Sequence, residues 1–159
     1  MPTPDSCLNV AYTSTDWRGV ALSNFSLSPF LFEGVLLASV EGFIQGLKFP
    51  EGDARREQAF QSSAWEAKQA GEQADKTAAY WAGKHMPFGS PEHHQLVGRA
   101  VRTRIEQSPG LRQVLISTKG LVLKHETGHG PEPVVTSLPA TIFCKVLTDL
   151  RDELIAHVK

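Results

Sequence analysis

Apolar and polar residues fall along this chain in short runs, and most runs carry a helix start or stop signal. Residues 91–107 give the clearest case. Leu96, Val97, Ala100, Val101 and Ile105 form one apolar stripe, and Ser90 before Pro91 makes a favourable N-cap and first-turn pair. Arg99, Arg102 and Arg104 are the basic residues of that helix and read as its solvated surface. Residues 140–157 close the chain as a second amphipathic helix. A shorter helix spans 39–49, with Ser39 as its cap and Pro50 as its stop. Helices are also expected over 53–60, over 62–70 with Ser63 as cap and Gly71 as terminator, and over the alanine-rich 74–81. Strand character appears at 30–37, where Glu33-Gly34 is the turn between two arms, at 121–125, and briefly around 10–13. Residues 84–90 read as a loop with Pro87 and Gly89, and 126–139 as a loop held open by three prolines and two glycines. Residues 111–118 fit helix or strand. The sum predicts a mainly α protein with a small β element.

Composition narrows the class. At 159 residues the chain suits one domain, read here as a compact helical unit over 21–159 behind an irregular segment at 1–20. A hydrophobic share of 41% and a charged share of 21% are ordinary for a globular protein. The net charge of −1 speaks against a generic nucleic-acid binder, which carries a basic excess, but not against action on a single modified nucleotide. Cys7 and Cys144 form no motif, so a cytoplasmic setting is the expectation. No apolar run approaches the ~20 residues that span a bilayer. Met1 to Asp5 carry no basic stretch leading into an apolar one, so no signal peptide is expected and no membrane partner is implied.

Within 39–49, Glu41, Gln45 and Lys48 fall at i, i+4 and i+7. That spacing puts an acid, an amide and an amine on one face, about 10 Å from end to end. Taken alone, such a stripe reads as a wet helix face with a glutamate placed at the positive end of the dipole.

The surrounding order of motifs gives the stripe more meaning. Ser23-Asn24-Phe25, a short strand, Ser39-Val40-Glu41 and then Gln45-Gly46-Leu47-Lys48-Phe49 resemble the NADAR family, also called YbiA-like. The likeness continues through the basic segment Gly98 to Gln107, Leu111 with Leu115-Ile116-Ser117-Thr118, and the terminal Leu147-Thr148-Asp149-Leu150-Arg151. It covers about residues 20–155. The resemblance implies an N-glycosidic hydrolase acting on an ADP-ribosyl group, such as guanine-linked ADP-ribose, or on a ribosylamine. It makes Glu41 and Lys48 the active-site acid and amine, and sets Asn24 and Phe25 beside the pocket. Gln45 joins them from the shared face, Trp81 is the candidate for a tryptophan between the central helices, and His125 falls where the family builds a pocket wall. Asn24 would bind ribose hydroxyls, and Phe25 or Trp81 would stack on a base. The implied partner is a small ADP-ribose-containing or ribosylamine molecule, or an ADP-ribosylated base in nucleic acid; no cofactor is called for. Two departures stand out. Gly42 replaces a polar residue after the glutamate, and residues 128–139 lack the family's Trp-Gly and Asn-x-Leu-Gly elements. The altered segment motivates the alternative of an ADP-ribose-binding module without catalysis.

His125-Glu126-Thr127-Gly128-His129 matches the H-E-x-x-H zinc pattern. That chemistry needs a helix, where histidines at i and i+4 share a face. Gly128, Gly130, Pro131 and Pro133 break any helix there, so no metal is expected. His93-His94 near a helix start read as surface residues. No dinucleotide fingerprint, P-loop or nucleophile elbow is present.

Overall fold

The computed structural model describes residues 6–157. The reading of Met1 to Asp5 lies outside them. In chain order the elements are β1 (Cys7–Asn9), α1 (Trp17–Leu22), β2 (Phe30–Phe32), β3 (Val35–Leu37), α2 (Val40–Gly46), α3 (Ala54–Phe60), α4 (Ala64–Ala70), β4 (Ala78–Trp81), β5 (Lys84–Pro87), α5 (Pro91–Glu106), α6 (Pro109–Ile116), β6 (Val122–Lys124) and α7 (Ala140–His157). The fold is mainly α with a small β element. Side-chain caps set most helix starts: Ser39 Oγ accepts from Gly42 N at 2.9 Å, Ser108 Oγ from Leu111 N at 3.1 Å, and Asp53 Oδ1 from Arg55 N at 2.9 Å.

The strands form three two-stranded sheets. β1 and β6 pair in parallel, with Cys7 opposite Val122, and so join an early segment to the strand between α6 and α7. β2 and β3 form the hairpin read at 30–37, turning through Glu33 and Gly34, both at positive φ. β4 and β5 form another hairpin, with Trp81 opposite Lys84.

Several local expectations are corrected here. The helix expected over 74–81 is strand β4, and part of the loop expected over 84–90 is its partner β5. Ala82 and Gly83 sit between them at positive φ, which suits a tight hairpin turn. Ala79 and Trp81 alternate inward from β4, so packing outweighs the helix propensity of alanine. The early strand lies at Cys7–Asn9 rather than 10–13, and α1 begins within the stretch read as irregular. The ambiguous 111–118 falls largely in helix α6.

Buried apolar side chains form one cluster between α2, α5 and α7. Phe43 of α2 meets Phe32, Phe60 and Trp81 at ring separations of 5.2, 6.1 and 5.2 Å. The stripe on α5 is buried throughout, and Phe143, Leu147 and Leu150 face it from α7. Three buried arginines tie segments together through backbone carbonyls. Arg56 donates to Phe49 O at 2.8 Å and Tyr80 O at 2.9 Å; Arg151 donates to Thr118 O at 2.9 Å and Leu121 O at 2.8 Å. Arg104, read from the sequence as surface, is 1% exposed and donates to Ala21 O at 2.7 Å and Ser23 O at 3.1 Å. Those carbonyls end α1, where no helical partner remains for them. Among the described residues no helix is long and apolar enough to cross a membrane.

Candidate functional site

The helix expected over 39–49 ends at Gly46, so Glu41 and Gln45 on α2 and Lys48 in the turn after it form the floor of the site, with Lys48 N donating to Gln45 O at 3.2 Å. Glu41, Gln45 and Lys48 are only 9%, 6% and 9% exposed, so this is not a wet helix face. Gln45 Nε2 donates to Glu41 Oε1 at 2.7 Å, and Lys48 Nζ donates to Gln45 Oε1 at 2.7 Å. The amide matches both charges at once, offering N–H to the acid and oxygen to the amine. Its seat depends on a glycine. A Cβ at Gly71, where α4 ends, would overlap Gln45 Oε1. Gly42, the departure noted after Glu41, has a similar reason. A Cβ there would run into the carbonyls of Ala59 and Ser62, against which α2 packs closely.

Burial sets the charges. It pushes the Glu41 carboxyl above the usual range, opposed by the Gln45 hydrogen bond and then by the positive charges of Lys48 and Lys68. The Lys48 ammonium is pulled down to about 8, first by burial and then by Lys76, with Glu41 opposing. The stripe therefore holds an acid and an amine that both titrate nearer to neutrality than their free counterparts.

Above the floor lies a cleft of about 840 Å³ lined by Asn24, Phe25, His125, Lys68, Lys76 and much of the 126–139 loop. The backbone fixes the first wall: Glu41 N donates to Asn24 O at 2.9 Å, and Ala64 N donates to Phe25 O at 3.0 Å. Asn24 Oδ1 is buried without a hydrogen-bond partner in the protein. Such an atom is costly until a donor meets it. His125 Nδ1 lies 2.7 Å from Val10 O. That carbonyl can only accept, so Nδ1 carries the proton and Nε2 is left as the free ring nitrogen. Asn9 stitches the following loop to β1, accepting from Glu126 N at 2.8 Å and donating to Glu126 O at 2.9 Å.

The structure thus brings Glu41, Gln45, Lys48, Asn24, Phe25 and His125 to one cleft. Trp81 is not among its walls and is corrected here. It is 7% exposed and packs against Phe32, Phe43 and Phe60, because the β4 alternation turns it into the core. His93 is the second correction. Expected at the surface, it is fully buried; its Nδ1 accepts from Gly89 N at 3.0 Å, and burial holds its pKa down to about 4. His94 is half-buried, with Nε2 2.9 Å from Thr136 O in the 126–139 loop. The H-E-x-x-H stretch leaves β6 as loop, with no shared helical face for its histidines, and His129 sits edge-on to Trp65 at 6.0 Å. Among the described residues no group of three or more His, Cys, Asp or Glu is placed to hold a metal.

Sequence reasoning passed over Tyr12, Trp65, Lys68 and Lys76, all of which line the cleft. Trp65 had one signal: a large aromatic in an otherwise polar helix. The others come from segments whose position is set only by folding.

Comparison with known proteins agrees with this architecture. The sequence profile of the family described as bacteriophage protein GP30.3 matches residues 16–152. An uncharacterized 17.1 kDa protein of Enterobacteria phage T4, encoded in the Gp30-rIII intergenic region, is 34% identical over 142 residues, 87% of this chain and 93% of its own. The solution structure of the Escherichia coli protein YbiA superimposes with a TM-score of 0.64 at 21% identity, covering 98% of this chain and 88% of that one. Identity at that level speaks for the fold, which is YbiA-like. With most of its length matched by the family profile and by the phage T4 protein, the chain belongs to the bacteriophage protein GP30.3 family.

Proposed function

We propose that this protein is a NADAR-type N-glycosidic hydrolase that cleaves the C–N bond at the anomeric carbon of an ADP-ribosyl or ribosylamine substrate. The observation that carries the reading is the buried Glu41–Gln45–Lys48 chain on the floor of an 840 Å³ cleft. The bond breaks through a state with cationic character at that carbon. Glu41 as carboxylate steadies the charge and takes a proton from the attacking water; the departing nitrogen leaves with a proton, and the sugar keeps the hydroxyl. Lys48, with a pKa of about 8, holds a usable neutral fraction near neutral pH. On a ring-opened N-linked sugar that amine is suited to attack C1, releasing the nitrogen as free amine and leaving a lysine imine, which water then hydrolyses to the sugar aldehyde and free lysine. Asn24 Oδ1, lacking a donor in the protein, suits a ribose hydroxyl.

The test is product analysis by mass spectrometry on guanosine-linked ADP-ribose and pyrimidine ribosylamine phosphates. Wild type should release free sugar and base or amine, and borohydride should trap sugar on Lys48 during turnover. Absence of product from every substrate, with binding intact, would replace the hydrolase by a module that only holds the ligand. Product without a trapped adduct, and with affinity lost in Lys48→Ala, would make the lysine a phosphate ligand.

A further inference from the structure

Three aromatic side chains meet at the cleft outside the catalytic stripe. Tyr12 lies 5.5 Å from Phe25, and Phe25 packs edge-on against Trp65 at 5.2 Å. Tyr12 is 50% exposed and Trp65 43% exposed, although both line the cleft. Aromatic rings of this size are normally covered, since each carries a large apolar area. Here they lie outside the hydrophobic core, come from three separate chain segments and converge on one wall. Lys68 Nζ stands 5.2 Å from the Trp65 ring, adding a cation beside the aromatic surface. The pattern of exposed π-faces, a nearby lysine and an adjoining polar floor matches what a flat, electron-rich heterocycle requires. An aliphatic guest would gain from apolar burial but would leave the lysine and the ring faces without a role.

We infer that Tyr12, Phe25 and Trp65 form a nucleobase-stacking subsite, with Trp65 as its specificity-determining residue. The inference deepens the proposed function and rests on it for the identity of the cleft. It makes the preferred substrate a base-bearing nucleotide rather than a bare sugar phosphate. Trp65 meets Phe25 and His129 only edge-on, and its 43% exposure lets it be replaced without opening the core.

The experiment compares ADP-ribose and AMP with ribose 5-phosphate. Tryptophan emission of wild type should be quenched by both base-bearing ligands and not by ribose 5-phosphate, and the quench should vanish in Trp65→Phe, which retains Trp17 and Trp81. By calorimetry, Trp65→Ala should weaken ADP-ribose roughly 5- to 100-fold, the range for loss of one base stack, while ribose 5-phosphate binds as before. Trp65→Phe should recover most of that affinity, and Tyr12→Ala should show a smaller loss of the same selectivity. A short single-stranded oligonucleotide measured beside AMP separates a base carried in a strand from one carried by a free nucleotide; quenching by either supports the subsite. Equal weakening of all ligands in Trp65→Ala, or no response of Trp65 emission to any base-bearing compound, would overturn it. The two readings fail separately: quenching without cleavage sinks the hydrolase and leaves the subsite, and cleavage without quenching does the reverse.

Discussion

Glu41 and Lys48 differ from ordinary surface residues because they share an amide and little water. Glu41→Gln keeps the size and the hydrogen bond to Gln45 but removes the charge that the proposed mechanism sets beside the anomeric carbon. We expect product formation to fall at least ~100-fold, in the range seen for loss of one electrostatic stabiliser, with ligand affinity changed little. Single-turnover assays beside calorimetry would check this, and equal turnover in the two proteins would remove Glu41 from the mechanism. For Lys48, burial favours the neutral amine, so its pKa of about 8 lies below the value near 10.5 of an unfolded chain. Between these values the unfolded chain binds more protons than the native one, and stability rises as pH rises from about 8 to 10.5. After allowance for contact with cleft water, the gain is on the order of 2 kcal/mol. Lys48→Met should flatten this rise in urea titrations, whereas an unchanged slope would mean that the amine is not desolvated. The same pKa shapes the activity. An imine-forming lysine gives a rate that climbs towards pH 8, and a phosphate-holding lysine gives one that declines above it.

Helix α2 is short, and its own hydrogen bonds do not hold it. Its position comes from the Ser39 cap, the close approach of Gly42 to the Ala59 and Ser62 carbonyls, and Phe43 in the core. Ser39 Oγ accepts from Gly42 N and also donates to Ser62 O at 2.8 Å, so one hydroxyl both starts the helix and ties it to the α3–α4 connection. Ser39→Ala should cost about 1–2 kcal/mol in denaturant unfolding, the upper range for a cap because a second bond is lost. Gly71→Ala addresses the same element from outside. The added methyl overlaps the Gln45 amide, so the Glu41–Gln45–Lys48 chain should break. The expected result is a large loss of turnover with a displaced pH optimum, against a loss of stability of about 1–3 kcal/mol from overpacking. A variant with full activity and the wild-type pH profile would show that the Glu41–Gln45–Lys48 chain tolerates displacement.

At the scale of the molecule, distant segments are brought to one cleft by a few long-range ties. The parallel β1–β6 pair carries Tyr12 and His125 to the same side, and Asn9 locks the loop that follows. Arg104 reaches from α5 to the α1 carbonyls, just before Asn24 and Phe25. Arg104→Met should take the side-chain donor from the Ala21 and Leu22 carbonyls, while Ser23 O keeps Ser26 N at 3.2 Å, and cost about 2 kcal/mol, with removal of the buried charge offsetting part of the loss. Because the segment that Arg104 ties down leads into the cleft wall at Asn24 and Phe25, ligand affinity should fall with stability. Thermal unfolding with and without ADP-ribose would check both, and a smaller ligand-induced shift in the variant is the expected sign.

Much of this was legible in the sequence because it is local. Caps and the α5 stripe depend on neighbours within a few residues, so 53–60, 62–70, 91–107 and 140–157 were read close to their observed bounds, whereas the helix read over 39–49 ends at Gly46, before Pro50 is reached. The i, i+4 spacing of Glu41 and Gln45 likewise fixes a shared face wherever the helix lies, and Lys48 reaches that face from the turn after α2. What local chemistry leaves open is which way that face points. The stripe alone suits solvent, and only packing of α2 against α3, α4 and α5 buries it and shifts both pKa values. The same limit explains the errors. Alanine-rich 74–81 favours a helix, but the turn at Ala82-Gly83 and the inward demand for Trp81 make it a strand. Arg104 and His93 look like surface residues by type, and become core residues because α1 and the 84–90 arm fold over them. Sequence determined the elements and the spacing of the candidate acid, amide and amine. Tertiary structure decided their burial, their charge and the aromatic wall opposite them, because desolvation and convergence are properties of segments far apart in the chain.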